Sequence, residues 1–360
     1  MKSVKENLQQ IHILIIGSGI IGKFNAVELS KLGYKITISD PNKIHNSSTA
    51  ALGLLMGKIY QKRSGRSWEL RKKSLELWPK WIKTLQKYNK DLIINKPLMQ
   101  LTTNEEKFEN LKKFVLDNPN DNLQILEKDS IYIQNIKKIF NNNDLSGIIS
   151  FEDGRIDPKI LLNTLDNYLL ANHVNIITDE VLKIKKIKNN WISTFKKEAD
   201  LLTDLVIVCN SLDSLKLINK ELIGINLKPV LGQALEISCD DKAVNFLSLP
   251  KHFSINNKNL IPISNNKLII GSTDEYNQTK TSLNKLNELI EFINEKPKWL
   301  TRNRISNTWF GIRSRPEGMP SPILKSIDKG LILCTGFYKN GILLAPACSQ
   351  WTSNEIKKHI

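Results

Sequence analysis

The sequence predicts an α/β fold: a parallel sheet with flanking helices, assembled discontinuously, joined to an α+β region built on a largely antiparallel sheet. Three observations predict it. Ile13–Ile16, Leu205–Cys209 and Leu331–Cys334 are fully apolar runs, the pattern of strands buried on both faces of a parallel sheet. Gly17, Gly19 and Gly22 follow the first run and lead into Phe24–Leu32, which has helical apolar spacing and stops at Gly33. Val230–Ser238, Phe253–Ile255, Leu260–Ile263 and Lys267–Gly271 alternate apolar and polar residues, as antiparallel strands with one solvated face do.

The first stretch carries the clearest chemistry. It reads as strand, glycine turn, helix, strand (Tyr34–Ser39) and then Asp40. The glycines have the G-x-G-x-x-G spacing. Gly17 permits a tight turn, Gly19 lets the backbone approach a pyrophosphate, and Gly22 lets the helix lie close to the strand. The helix start offers unpaired N–H groups and a positive dipole end to phosphate. Asp40 stands near the ~20-residue distance at which a carboxylate accepts from a ribose hydroxyl. This is a Rossmann-like dinucleotide unit, with a plain β-turn-α as the alternative. An acid rather than an Arg after the second strand favours NAD or FAD over NADP.

Composition narrows the class. A chain of 360 residues, 41% hydrophobic, fits two domains. The net charge of +16 comes from lysines dispersed among Asn and Ile, as in Ile184–Asn190 and Ile136–Asn143. No aromatic-interleaved basic stripe occurs, so nucleic acid is not an expected partner. The positive field can still draw in anionic ligands. No apolar run approaches the ~20 residues of a membrane helix. The opening MKSVKENLQQIHILIIG mimics a signal peptide, but Gln9, Gln10 and His12 interrupt it and the glycine turn ends it. The expectation is a cytoplasmic protein without a signal. Cys209, Cys239, Cys334 and Cys348 lie in or beside apolar stretches and are expected as buried free thiols. The five histidines are scattered, so no metal is expected.

The remaining elements follow in order. The polar loop Pro41–Asn46 leads to Ser47–Gly57, whose hydroxyls suit phosphate contact or a helix cap. Ser67–Tyr88 reads as an amphipathic helix with Trp68, Trp78 and Trp81 as core candidates, kinked or interrupted at Pro79. Leu92–Leu101 and Ile148–Phe151 read as strands, with Glu105–Asn118 and Ser130–Phe140 as helices between them. Asp157-Pro158 opens a helix that ends at Asn172 or His173. Val174–Ile177, Val181–Ile187 and Trp191–Lys196 read as short strands. Leu283–Ile293 reads as a helix, Asn307–Ile312 as a strand and Leu344–Lys358 as the last helix. Nucleotide-fold elements thus bracket the antiparallel ones. One domain is expected from residues 1–88, 148–225 and 311–360, and a second from 89–147 and 226–310.

Four further stretches are distinctive: TGFYKNGILLAPA (Thr335–Ala347), GRIDPKILL (Gly154–Leu162), LKPVLGQALEI (Leu227–Ile237) and IGSTDE (Ile270–Glu275). With the glycine turn, they make the chain resemble the FAD-dependent D-amino-acid oxidase family, most nearly the glycine oxidases of thiamine biosynthesis. The resemblance makes the discontinuous domain FAD-binding and the other substrate-binding. It implies an extended, non-covalent FAD; the segment just after Gly311 lacks a cysteine to attach it. Gly17, Gly19, Ile20, Ile21 and Gly22 would hold the pyrophosphate and Asp40 the adenosine ribose. Ser47, Ser48 and Thr49 would meet phosphates or the ribityl chain, Gly53 and Leu54 the flavin ring, and Val181 the adenine. Gly336, Asn340, Gly341, Ile342 and Leu343 would cradle the flavin's pyrimidine end, where helix-start donors stabilise negative charge. Arg313 would grip the substrate carboxylate bidentately, with Lys339 as a second cation and Asn259 beside them. A surface ion-pairing Arg is the alternative. Lys339 stands where close relatives carry Arg, Phe337 for His, Asn259 for Tyr, Asn210-Ser211 for Ala-Gly and Ser314 for Pro.

The implied reaction is oxidative deamination of glycine or a small D-amino or N-methyl amino acid. Hydride passes to flavin N5, the imine hydrolyses, and oxygen takes the electrons to give hydrogen peroxide. The cofactor carries the redox chemistry, so no side-chain base is demanded. The partners are the amino acid and oxygen; a homo-oligomer is compatible, and a thiamine-thiazole role follows from the resemblance alone. The alternatives are a dehydrogenase using a quinone or other acceptor, a flavin-binding protein with an inactive pocket, and an NAD dehydrogenase.

Overall fold

A computed structural model describes residues 10–42, 47–218 and 223–359; the expected loop residues 43–46 lie outside these. The chain opens with β1 (His12–Ile16), α1 (Ile20–Leu32) and β2 (Lys35–Ser39). The long helix α2 (Gly65–Leu85) precedes β3 (Leu98–Thr102) and β4 (Ser146–Ser150). Then come α3 (Pro158–Ala171), β5 (Asn175–Ile177) and β6 (Leu205–Val208). The strands β7 (Leu227–Ser238), β8 (Phe253–Ile255), β9 (Lys258–Ser264), β10 (Lys267–Gly271) and β11 (Ile305–Pro316) follow. The chain closes with β12 (Ile323–Asp328), β13 (Leu331–Thr335) and α4 (Gly341–Ile356).

A six-stranded sheet runs in the order β12-β13-β6-β1-β2-β5, parallel except for β12 at one edge. Three of its inner strands, β13, β6 and β1, are the apolar runs. Ile13 and Ile15 enter one core with Phe24, Trp78 and Leu344, while Leu14 and Ile16 enter another with Val206 and Val208. Each face therefore buries alternate residues, and hydrophobicity without alternation is the result. The second sheet has nine strands. The run β7-β10-β9-β8-β3-β4 forms its centre and β11 pairs with β7; β8 with β3 is parallel and the other pairs are antiparallel. Leu235, Ile270, Leu260 and Phe253 bury one face of this sheet.

Several local expectations are corrected. The helix α2 runs unbroken through Pro79. Pro79 is exposed, while Trp78 and Trp81 pack on Phe24 with ring centroids 5.6 and 4.4 Å away. An interior proline costs about 3 kcal/mol, and truncating a buried aromatic costs about 3–5 kcal/mol, so two seated indoles outweigh it. Leu92–Leu101 divides into Ile94–Asn95 and β3. Leu283–Ile293 is a short helix, Leu283–Asn287, followed by a 3-10 turn, Glu288–Ile290. No helix starts at Ser47 or Ser48, which lie in a turn. Two expected domain limits fall inside strands, residue 148 in β4 and residue 311 in β11. The four cysteines are free and buried. Among the described residues no helix is long and apolar enough to cross a membrane.

Trp78 is 1% exposed and also donates its indole N–H to the Leu343 carbonyl. Trp78→Ala is expected to lower unfolding free energy by about 3–5 kcal/mol, read from urea denaturation. A loss below about 1 kcal/mol would contradict the packing described.

Candidate active site

The carboxyl ends of β1, β2 and β6 open on one side, where the chain crosses from β1 to neighbours on both flanks. That is where ligands settle in open α/β sheets. The Gly17 N–H donates to the Ser39 carbonyl (2.7 Å) and closes the turn. A Cβ on Gly22 would lie 1.8 Å from the Gly17 carbonyl oxygen, so only glycine lets α1 start this close to the strand. Ser48 Oγ accepts from the Ile20 N–H (3.0 Å). The serine thus caps α1 across 28 residues rather than starting a helix of its own. The Asp40 carboxylate accepts from the Ser18 N–H (2.6 Å) and the Asn42 N–H (2.7 Å). Val181 is buried with Ile16 on the far face of β1, at the start of the strand after Asp179. The Asp179 carbonyl accepts from Ser39 Oγ (2.8 Å).

The C-terminal helix begins at the same opening. A Cβ on Gly341 would meet the Ile20 side chain at 3.5 Å. Asn340, which precedes α4, accepts at its side-chain oxygen from Arg71 (2.7 Å). Arg71 is 4% exposed and its guanidinium lies 3.7 Å from the Tyr60 ring centroid. Gly336 starts the segment leading to α4, and its next turn is tied down by the Tyr338 N–H donating to the Ser314 carbonyl (3.0 Å). The first N–H groups of α1 and of α4, on Gly341, Ile342 and Leu343, lack helical acceptors by position.

Across the opening lies the face of the nine-stranded sheet opposite its apolar core. Ser254, Asn259, Gly271, Ala234 and Trp309 are successive cross-strand partners, so they share that face. Arg313, four residues beyond Trp309 on β11, shares it too. The segment after Thr49 runs over it. Trp309 Nε1 donates to the Ala50 carbonyl (3.2 Å), and Leu52 lies near Gly271. The Gly53 carbonyl accepts from the Ile156 N–H (3.0 Å), and Leu54 pairs with Arg155.

Arg313 is held tightly. A Cβ on Gly232 would lie 2.1 Å from its guanidinium, so the group rests flat on bare backbone. It donates to Ser272 Oγ (2.6 Å), the Thr273 carbonyl (3.2 Å) and Asp274 Oδ1 (3.2 Å). Lys339 reaches Asp274 Oδ2 at 2.5 Å. Burial works against the Arg313 charge, and Asp274 works for it; a guanidinium remains charged in such a balance. Burial pushes the Tyr338 phenol up, helped by the Tyr276 hydroxyl at 3.1 Å and by Asp274. Asn259 faces Gly271, the residue before Ser272, so the guanidinium ends one position from it.

The structure thus gathers the glycine turn, Ser48, the Gly336–Leu343 segment, Arg313 and Lys339 around one opening. Asn259 lines the sheet floor, and Val181 stands on the far side of β1. Sequence reasoning passed over Asp274 and Ser272, although both lie in the quoted IGSTDE stretch. It also passed over Tyr276, Tyr338 and His252. A loop acid or a lone tyrosine carries no spacing signal.

These features define a dinucleotide-type fold beside a cation-bearing sheet. The chain belongs to the FAD dependent oxidoreductase family, whose profile it matches over residues 12–355. It is 24% identical over 361 aligned positions, 96% of the chain, to the bifunctional protein ThiO/ThiG of Synechocystis sp.. The chain spans about half of that relative, 51% of its length. It is 24% identical to the glycine oxidase of Geobacillus kaustophilus, covering 93% of the chain and 89% of the relative. The glycine oxidase structure from Bacillus cereus superposes with a TM-score of 0.82 at 20% identity, covering 96% of this chain and 97% of that one. FAD is therefore the cofactor. The residues present fit it: a glycine cradle, two adjacent helix starts, and a buried, unpartnered Asn210 side-chain oxygen beside Gly17.

His252, immediately before β8, is fully buried, and neither ring nitrogen has a hydrogen-bond partner among the described residues. Burial, with nearby Arg155, lowers its pKa to about 3. The unfolded chain protonates near 6.5, so stability is full above that pH. It falls as pH drops from about 6.5 toward 3, by about 1.4 kcal/mol per unit. His252→Leu is expected to be near neutral at pH 7. Between pH 6.5 and 5 it should retain up to about 2 kcal/mol that the wild type loses. Parallel pH dependences in denaturant unfolding would refute this.

Proposed function

We propose that the protein oxidatively deaminates glycine or a small D-amino or N-methyl amino acid, with oxygen as acceptor. The observation that carries this reading is Arg313: mostly buried, flat on Gly232, and joined through Asp274 to Lys339, two residues before α4. When bound, FAD supplies the two-electron acceptor. Overall, amino acid, oxygen and water give oxo acid, hydrogen peroxide and ammonia, or methylamine from an N-methyl amino acid.

The chain's own residues bind and orient. The α1 start, with Gly17, Gly19, Ile20, Ile21 and Gly22, offers donors and dipole to the pyrophosphate, and Asp40 accepts from the adenosine ribose. Ser47, Ser48 and Thr49 would meet the phosphates or the ribityl chain. Gly53 and Leu54 would meet the flavin ring and Val181 the adenine. Gly336, Asn340, Gly341, Ile342 and Leu343 give the α4 start to the pyrimidine end, where negative charge develops. Arg313 holds the substrate carboxylate, Lys339 adds charge without a fork, and Asn259 borders the site. The fixed guanidinium turns encounter into an aligned complex. The similarity to two glycine oxidases supports the substrate class. A part in thiamine thiazole synthesis is the accompanying proposal, carried by the sequence resemblance.

Anaerobic glycine should bleach the flavin absorbance, and air should restore it with peroxide release. No bleaching by glycine, sarcosine or any small D-amino acid would end the oxidase reading. Arg313→Ala is expected to lose about 100-fold in kcat/KM with unchanged flavin content, the loss of a charge-assisted pair. Gly22→Ala should purify with much less than one FAD per chain, since its Cβ meets backbone at 1.8 Å. Full occupancy would contradict that site.

A further inference from the structure

The cation pair assigned to a substrate carboxylate already holds one. Asp274 Oδ1 lies 3.2 Å from Arg313 and its Oδ2 lies 2.5 Å from Lys339. Both terminal nitrogens of Arg313 are engaged by residues 272–274. The three side chains differ in freedom. Arg313 is 15% exposed and pressed on Gly232, whereas Asp274 is 33% and Lys339 45% exposed. The loop is also pinned around Asp274. Glu275 accepts from Gln233 Nε2 (2.8 Å) and from Thr273 Oγ1 (2.5 Å), both buried. Tyr276 reaches the Tyr338 hydroxyl at 3.1 Å, with Arg315 5.0 Å from the Tyr276 ring centroid. The part free to leave is therefore the Asp274 side chain alone.

We propose that Asp274 is a specificity-determining residue, a tethered competitor that an incoming carboxylate must displace from Arg313 and Lys339. This rests on the reading of Arg313 as the carboxylate anchor. Displacement exchanges one carboxylate for another at the same donors and releases Asp274 to water. Weak carboxylates are then turned away, and only ligands with further contacts on the sheet face win the exchange. Charge near a rim governs discrimination in this way.

The test uses FAD-loaded protein and acetate, a carboxylate that cannot be oxidised, read by the flavin absorbance perturbation. Asp274→Asn and Asp274→Ser should each bind acetate about tenfold more tightly than wild type. Glu317→Gln is the control for distant charge. Glu317 follows β11 and lies about 13 Å along the strand from Arg313, at about 3.3 Å per residue, beyond a Debye length of about 8 Å. It should change acetate affinity less than twofold. Equal acetate affinity in wild type and both Asp274 variants overturns the proposal. So does the absence of any acetate effect, or an equal gain in Glu317→Gln. Wild-type glycine turnover is read separately. Turnover with no gain in the Asp274 variants refutes this inference and keeps the oxidase reading; a gain without turnover on any amino acid does the reverse.

Discussion

The close meeting of two helix starts is the constraint on which the rest depends. α1 and α4 begin side by side, with Ile20 against Gly341. Each helix start carries roughly half a positive charge, and two such ends repel unless acceptors or anions lie among them. Ser48 Oγ at Ile20 and the Asp40 carboxylate at Ser18 answer part of this demand. The remaining N–H groups define an anion site before any ligand is considered. A phosphate-bearing cofactor at one helix and an electron-rich ring at the other would meet that need together.

The alignment is fixed from behind. Pro346 lies inside α4 and removes a donor from it. Next to it the Ala347 N–H donates to Ser74 Oγ (3.2 Å), and the Leu343 carbonyl accepts from Trp78 (3.1 Å). Arg71, on the same helix, holds Asn340. So α2 stitches the start of α4 at three points. A break in α2 at Pro79 would have lost this register, and the helix keeps it because Trp78 and Trp81 are seated on Phe24.

Much of this was legible in the chain. The parallel sheet showed because its strands are buried on both faces, which leaves unbroken apolar runs. The glycine turn showed because close approach allows one residue type. The edge strand β12, ILKSID, did not show, since a half-exposed edge looks like loop. Ser48 read as a cap, yet its helix is α1, reached only after folding. The polar floor of the nine-stranded sheet was legible as alternation, but not which face would meet the opening. Asp274 was invisible because its meaning depends on Arg313 and Lys339, 39 and 65 residues away.

Local charge, not the net +16, governs what this site can hold. Many lysines pair with acids a turn away on exposed helices, such as Lys72–Glu69 and Lys285–Glu288. Such pairs are worth about 0.3–0.5 kcal/mol, and their fields fade within about 8 Å. At the site, Arg313, Lys339 and Arg315 face Asp274 and Glu275. The cluster is one positive charge in excess, enough to favour a singly charged anion. Asp274 is already counted in that balance; on the proposal above an incoming carboxylate would exchange with it at Arg313 and Lys339, and selectivity would turn on which makes better contacts with the surrounding sheet.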